Sequence, residues 1–564
     1  MPMLKKICPF LNWFPMSFGD LRGDFIAGLT VALLLVPQSM AYASLAGLPM
    51  QTGLYAAFLP VIIGALFGSC RQLGTGPVAM SSILTASILL NYAQPEAPNY
   101  VQLALLLTFV LGLIRIIMGL AKLAALVNLL SQPVLAAFTN AGAMIIGLSQ
   151  INKIFGLPKT STLHFGGFLK DTAGVFANIA DTHWATFCFG AGAFIIIYGI
   201  RRVRPCWPAM LIATIIGTFV SYLIGFEARL GGAVVGFIPP GLPKIAPFAT
   251  SWEEMIELAP IAKSMVPSAL ALTIIGFMEA VSVSKAIALK TRQKLDLNQE
   301  LVGQGCAAVA ASFSQGYSVS GSFSRSAINL MSGAKTGMSS VFAGLIVMLV
   351  LLFMTPLLYH LPMAVLAAGI MVAVFQLIRF KPLAHAWKAS RADGLTAAAT
   401  WLATLLFAPS MERGVFIGVA LALFFYLKRT MNPELAVVGV SGDGSMKSVD
   451  RHQLERNEDM PSIRWDGDLY FGNVAAFEDS ILATLREYPK ARAVMIICDG
   501  INLIDASGDW CVRQVWEQLK DMNIGMYFAG LKQAPYDTIL KTGLVDEIGR
   551  QHFVRSVEIA KLAI

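Results

Sequence analysis

The sequence predicts a polytopic α-helical membrane protein followed by a small soluble α/β domain. Three observations carry that prediction. Only 13% of the 564 residues are charged and 56% are hydrophobic, whereas an average soluble chain is about 25% charged. A single soluble core stops growing near ~250–300 residues, so it cannot absorb that much apolar surface. Apolar stretches approaching the ~20 residues of a bilayer-crossing helix recur over the first three quarters of the chain. The charge is also divided. Residues 1–436 hold 28 Lys+Arg and 15 Asp+Glu, leaving 14 and 19 for residues 437–564, so a basic apolar part precedes an acidic tail.

Twelve stretches read as spans: 25–46, 52–68, 101–121, 123–149, 185–200, 206–225, 264–288, 300–314, 338–358, 362–378, 394–408 and 412–428. Two shorter segments, 77–90 and 323–332, follow Gly- and Ser-rich runs and bring the total to fourteen. An even number places both ends on one side. With the N-terminus inside, the inner loops collect Lys5, Lys6, Arg22, Arg71, Lys122, the run RRVR at 201–204, Lys290, Arg292, Lys294, Lys335, Arg379, Lys381, Lys388, Arg391, Lys428 and Arg429. The outer loops collect fewer, chiefly Lys153, Lys159, Lys170, Arg229, Lys244 and Arg413, among several glutamates. Basic loops mark the cytoplasmic side, so both termini are expected there.

Beyond residue 436 the pattern changes. Residues 441–460 are polar and read as a loop or linker. Strands are expected at 462–471, 493–500 and 524–531, and helices at 474–487 and 506–522, with Ser507 a candidate N-cap. Alternation of this kind implies an α/β domain.

The composition excludes several classes. No basic, aromatic-interleaved patch points to nucleic acid. Seven cysteines (Cys8, Cys70, Cys188, Cys206, Cys306, Cys498 and Cys511) form no CxxC pair and read as free thiols. The first residues mix Pro9, Asn12, Pro15 and Asp20 with the apolar ones and do not read as a cleavable signal. No phosphate-binding loop, metal-ligand set or other enzyme signature is present, and no cofactor is expected.

The two short segments carry the chemistry. RQLGTGPVAMSS (71–82) has Gly74 and Gly76 before Pro77, a residue suited to the first helical position. QGYSVSGSFSRSAINL (315–330) has Gly316, Gly321 and five alternating serines. Discontinuous helices in matching positions of two halves point to a transport site, and these lie roughly 245 residues apart, room for about seven spans each. A helix N-terminus offers unpaired N–H groups and positive dipole, so two facing ends form an anion pocket. Arg325 adds a full charge. Glu279, in GFMEAVSVSK, is the one acid placed deep in a span. It is protonated, paired with Arg325, or ligand to a coupling cation. Arg115 and Lys285 read as cations that snorkel to the surface. In VPQSMAYASLAGLP, Pro37 interrupts the helix ladder. Gln38 and Tyr42 share a face, and Gln38 either meets a substrate or ties helices together. In the tail, Asp505 and Ser507 in IDASGDW read as a helix cap or as a modified or ligand site.

GDLRGDFIAGLTVALLLVPQSMAYASLAGLPMQTGLYAAFLP (19–60) resembles the opening signature of the sulfate permease family of anion transporters. GTGPVAMSS and SVSGSFSRS resemble its third and tenth spans, and the tail resembles a STAS domain. The resemblance implies two inverted repeats of seven spans, at about 20–225 and 260–430, divided into a core and a gate. It implies a substrate site of Gln38, Tyr42, Pro77, Val78, Ser324 and Arg325, a coupling acid at Glu279, H+ or Na+ as the coupling ion, a homodimer and elevator-like movement. A bacterial inner membrane and a cytoplasmic protein partner of the tail are expected. Ser507 aligns with a regulated position whose first hydroxyl is here Ala506. Sulfate with a proton is the first expectation. Bicarbonate or dicarboxylate transport with sodium, exchange, and a channel are the alternatives.

Overall fold

The computed structural model describes residues 8–554 other than 96, 158–173, 175–176, 205–206, 250, 376, 409 and 442–445. Lys5, Lys6, Lys159, Lys170 and Cys206 lie outside the described residues. The chain divides into two compact units, Met1–Ala422 and Leu423–Ile564.

In the first unit a helix, whole or broken, covers each of the fourteen apolar segments. Among the described residues eight helices are long and apolar enough to cross a membrane, and Ala79–Leu89, Ala209–Ile224 and Met363–Phe375 are shorter. The opening helix, Phe18–Leu45, starts from a reciprocal capping box between Ser17 and Asp20. It continues through Pro37. Of its most apolar window 72% is buried, against 22% for Trp184–Val203 and 17% for Glu412–Met431. The opening helix is therefore central, and the other two turn large apolar side chains outward. Lipid tolerates that arrangement and water does not.

Breaks follow local chemistry. The second segment splits into Met50–Ala56 and Leu59–Phe67, with Pro60 in the first turn of the restart. Met338–Leu349 loosens into a π turn at Val350–Met354 and tightens into a 3-10 turn at Thr355–Leu358. Pro356, which has no N–H to donate, falls at that change. Helices Tyr100–Leu120 and Leu297–Phe313 touch through glycine: a Cβ at Gly112 would lie 3.0 Å from the Gly305 carbonyl oxygen. Small residues permit such close backbone approach inside a membrane.

Besides Glu279 within its long helix, buried carboxylates near helix starts hold the loops. Asp24 is fully buried and accepts from the Lys335 N–H at 2.6 Å and the Thr336 N–H at 3.0 Å. Glu300 is 1% exposed and accepts from the Ser69 and Cys70 N–H groups, both at 2.8 Å. Glu412 accepts from Ser87 at 3.0 Å. Loops and helices distant in sequence bury these acids, so hydropathy along the chain does not reveal them.

The second unit contains a six-stranded sheet whose strands lie in the order 446–448, 434–440, 462–466, 493–497, 525–529 and 553–554. The strands are β3 (Glu434–Val440), β4 (Met446–Ser448), β5 (Ser462–Asp466), β6 (Ala493–Ile497), β7 (Gly525–Ala529) and β8 (Phe553–Val554). β3 runs antiparallel to β4 and β5, whereas the pairs from β5 to β8 are parallel. Helices Val474–Glu487 and Ala506–Asp521 occur where expected. β6 is buried along its whole length. One apolar cluster contains Trp465, Phe477, Val512 and Leu519, and another contains Met495, Ile497 and Ala529. The expected linker at 441–460 instead contains β4 and a helical turn, Val449–His452. The polar strand β4 shows no hydropathic signal because its stability comes from backbone pairing with β3. Burial pushes the Cys511 thiol up to about 11 and raises that of Cys498 further, so both are inert packing groups.

Candidate functional site

The two short segments meet. Residues 75–76 (β1, Thr75–Gly76) pair antiparallel with residues 320–321 (β2, Ser320–Gly321), with Thr75 opposite Gly321 and Gly76 opposite Ser320. Each strand leads into a short helix: Ala79–Leu89 from the first half and Phe323–Met331 from the second. Further bonds tie them, from the Ser322 N–H to the Gly74 carbonyl at 3.0 Å and from the Gly74 N–H to Ser326 Oγ at 2.8 Å. Gly76 has φ +148°, a conformation that L side chains rarely adopt. A Cβ there would lie 3.3 Å from Arg325 Nη2.

The two helix starts differ. Val78 caps the first with extended backbone (φ −135°) and no side-chain hydrogen bond. Pro77 therefore precedes the cap rather than opening the helix, a correction to its expected place. Its carbonyl turns to accept from Arg325 Nη1 at 2.8 Å. The second helix is capped by Ser322 Oγ, which accepts from the Arg325 N–H at 3.5 Å. The orphan N–H groups are thus more open at the first helix. Four of the five alternating serines are committed to packing or capping: Ser318 to Thr85, Ser320 to the Gly276 carbonyl, Ser322 to the cap and Ser326 to the Gly74 N–H. Ser324 is exposed, with its hydroxyl 3.3 Å from that of Ser322.

Arg325 is 1% exposed. Its Nε and Nη2 have no hydrogen-bond partner. A buried guanidinium with two idle donors is an incomplete arrangement, because each lost hydration site goes uncompensated. Those donors suit a carboxylate or oxyanion.

Gln38 and Tyr42 lie on the buried face of the opening helix, and that helix packs on both short helices. They line a small cavity with Ala41, Arg201, Met210, Gly369, Ile370 and Ala373. Gln38 Oε1 is buried without a partner. None of Pro77, Val78, Ser324 and Arg325 lines that cavity, yet Arg325 and Glu279 are both within electrostatic reach of Tyr42. The structure thus joins Pro77, Val78, Ser324 and Arg325 at the crossing and sets Gln38 and Tyr42 beside it. Arg201, counted among the loop cations, was missed. Its position at the end of an apolar helix concealed that it turns inward.

Glu279 lies in the 40-residue helix Trp252–Thr291, one turn beyond Gly276. It interacts electrostatically with Arg325 without forming an ion pair. Arg115 does not snorkel. It is 1% exposed and donates through Nη1 to the Val319 carbonyl at 2.8 Å. Gly276 leaves it room, since a Cβ there would lie 3.0 Å from Arg115 Nη2. In the tail, Asp505 rather than Ser507 caps the helix, accepting from the Gly508 N–H at 2.8 Å and from the Phe471 N–H at 3.0 Å. Asp505 has the extended backbone that a cap needs. Ser507 is exposed in the first turn.

Comparison with known proteins places this arrangement. The sulfate permease family matches residues 21–400 and the STAS domain matches residues 451–560. The chain is 31% identical to the chloroplastic sulfate transporter 4.1 of Arabidopsis thaliana, over 94% of this chain and 78% of that one. It is 31% identical to a probable sulfate transporter of Mycobacterium tuberculosis, over 96% and 94%. The murine solute carrier 26 family member A9 anion transporter, in its inward-facing state, superimposes with a TM-score of 0.91 at 21% identity, covering 100% of this chain and 94% of that one. At that identity the likeness speaks to fold. Fold, sequence and tail agree, and the chain belongs to the sulfate permease family of multi-pass membrane anion transporters, which are not enzymes, with a STAS domain at its C-terminal end.

Proposed function

We propose that the chain is a secondary active transporter of a small oxyanion, with sulfate as substrate and a proton as coupling ion. The observation that carries this reading is the crossing itself: an uncapped helix start at Val78 beside a buried Arg325 with two unpartnered donors. N–H groups near Val78 and Ser324 bind the anion's oxygens, Arg325 supplies charge, and Gln38 and Tyr42 close one side. Glu279 takes a proton with the anion, so the loaded carrier crosses with less net charge. The names of the sulfate-transporting relatives support the choice of anion.

The movement in this reading is alternating access, with a core carrying the crossing past a gate. Fourteen spans in two inverted repeats of seven form the transport domain (1–436), and the tail (437–564) lies in the cytoplasm below a bacterial inner membrane. The assembly is a homodimer, and the tail receives a protein partner. Ser507, exposed near a helix N-terminus, is a place where a phosphate would be favoured by the helix dipole.

The test is uptake of labelled sulfate into proteoliposomes under an inward proton gradient, competed by bicarbonate, fumarate and succinate. Accumulation that collapses with the gradient is expected. Sodium-dependent uptake, or flux of a competitor without sulfate, would overturn the coupling ion or the substrate.

A further inference from the structure

Arg115 is a buried charge that the reading above leaves idle. One of its nitrogens holds the Val319 carbonyl, while Nε and Nη2 are without partners. Val319 precedes Ser320, which stands opposite Gly76 in the two-stranded pair. Directly opposed residues of an antiparallel pair point to the same face. Arg325 Nη2 lies beside the Gly76 position. Arg115 Nη2 lies beside the Ser320 position, since a Cβ at Gly276 would be 3.0 Å from that nitrogen and 3.3 Å from Ser320 Oγ. The crossing is thus flanked by two buried guanidinium groups, one from each half of the chain. Each holds a carbonyl of the opposite half: Arg325 that of Pro77, and Arg115 that of Val319.

We propose that Arg115 is the second fixed positive charge of the anion site and tunes it for a divalent oxyanion carried with one proton. This rests on the crossing being the anion site. With Glu279 ionised, the two arginines and the carboxylate leave one net positive charge, which a monovalent anion neutralises. With Glu279 protonated they leave two, which a divalent anion neutralises. Away from water an unbalanced charge is strongly disfavoured, so a divalent anion draws a proton onto Glu279 and a monovalent anion does not.

The other groups near Glu279 and the crossing do not disturb this balance. Tyr42 and Tyr317 are neutral phenols within electrostatic reach of Arg325. Arg201, partly buried on the Gln38–Tyr42 cavity, and Lys285, which is exposed, are not among the charged neighbours of Glu279, which faces Arg325. The Glu300 carboxylate is compensated by the Ser69 and Cys70 N–H groups and by Gln304.

The full chain in proteoliposomes, supplied with labelled sulfate or labelled nitrate and an internal pH dye, tests this. Wild type should carry one proton per sulfate and none per nitrate. Proton uptake with nitrate, or sulfate uptake without a proton, overturns the charge balance. Arg115→Met should lower the sulfate-to-nitrate uptake ratio by roughly tenfold or more, while Arg115→Lys keeps the ratio at a reduced rate. A folded Arg115→Met protein with the wild-type ratio overturns the proposal. If Arg115→Met does not fold, Arg115→Lys decides, since loss of the ratio there would assign Arg115 to geometry rather than charge. Wild type that carries neither anion would instead sink the underlying reading of the crossing.

Discussion

Replacing Arg325 by methionine removes one full charge while leaving a side chain of similar length. The structure sets the size of the effect. Arg325 is 1% exposed and unscreened by bulk water, and its two idle donors lie where an anion at the crossing would be met. Opposite unit charges ~5 Å apart at an effective dielectric of about 20 attract by about 3 kcal/mol, so counting only one of sulfate's two charges already gives about two decades in Kd. The Pro77 carbonyl loses its 2.8 Å donor as well, which costs about 1–3 kcal/mol of local stability. Methionine offsets part of that by filling the space without a buried charge. The measurement is sulfate protection against thermal unfolding of the purified protein, followed across sulfate concentration. Half-maximal protection should move up by about two orders of magnitude, and Arg325→Lys should fall between, because an ammonium retains charge and loses the fork of donors. Wild-type protection in a folded Arg325→Met protein would refute the argument that this cation faces the anion.

Three further outcomes follow from the same geometry. Glu279→Gln should abolish sulfate accumulation driven by a pH gradient while sulfate–sulfate exchange persists, read by counterflow; accumulation that survives would remove Glu279 from coupling. Asp24→Ala orphans the Lys335 and Thr336 N–H groups, at a cost of about 2–4 kcal/mol. It should lower the unfolding midpoint without changing sulfate affinity in the protein that remains folded, and an unchanged midpoint would refute this. Cys511, pushed up to about 11 by burial, should stay protonated and resist iodoacetamide at pH 8 in the folded tail, becoming reactive only on unfolding. Rapid alkylation of native protein at pH 8 would refute the burial argument.

How much of this was legible along the chain depends on the kind of force involved. Hydropathy located a helix at every apolar segment, because lipid rewards a local property that a window of residues displays. The helices of the tail were equally plain, since their apolar spacing at Phe477, Ile481 and Leu485 repeats with the turn. The Gly- and Ser-rich runs before the short helices marked the crossing. Tertiary structure decided what those signals could not. Pairing of Thr75 with Gly321 spans about half the chain, and no local pattern predicts a partner at that distance. The roles of Arg115, Asp24 and Glu300 turned on which distant backbone meets each charge, so a side chain that reads as surface-seeking proved to be buried. Ser507 lost the cap to Asp505 because capping depends on backbone angle and on a second bond to Phe471. Composition and periodicity marked the apolar helices, the α/β tail and the residue types of the site. Which charges are withdrawn from water was settled by packing, because desolvation belongs to the assembled fold and not to any residue within it.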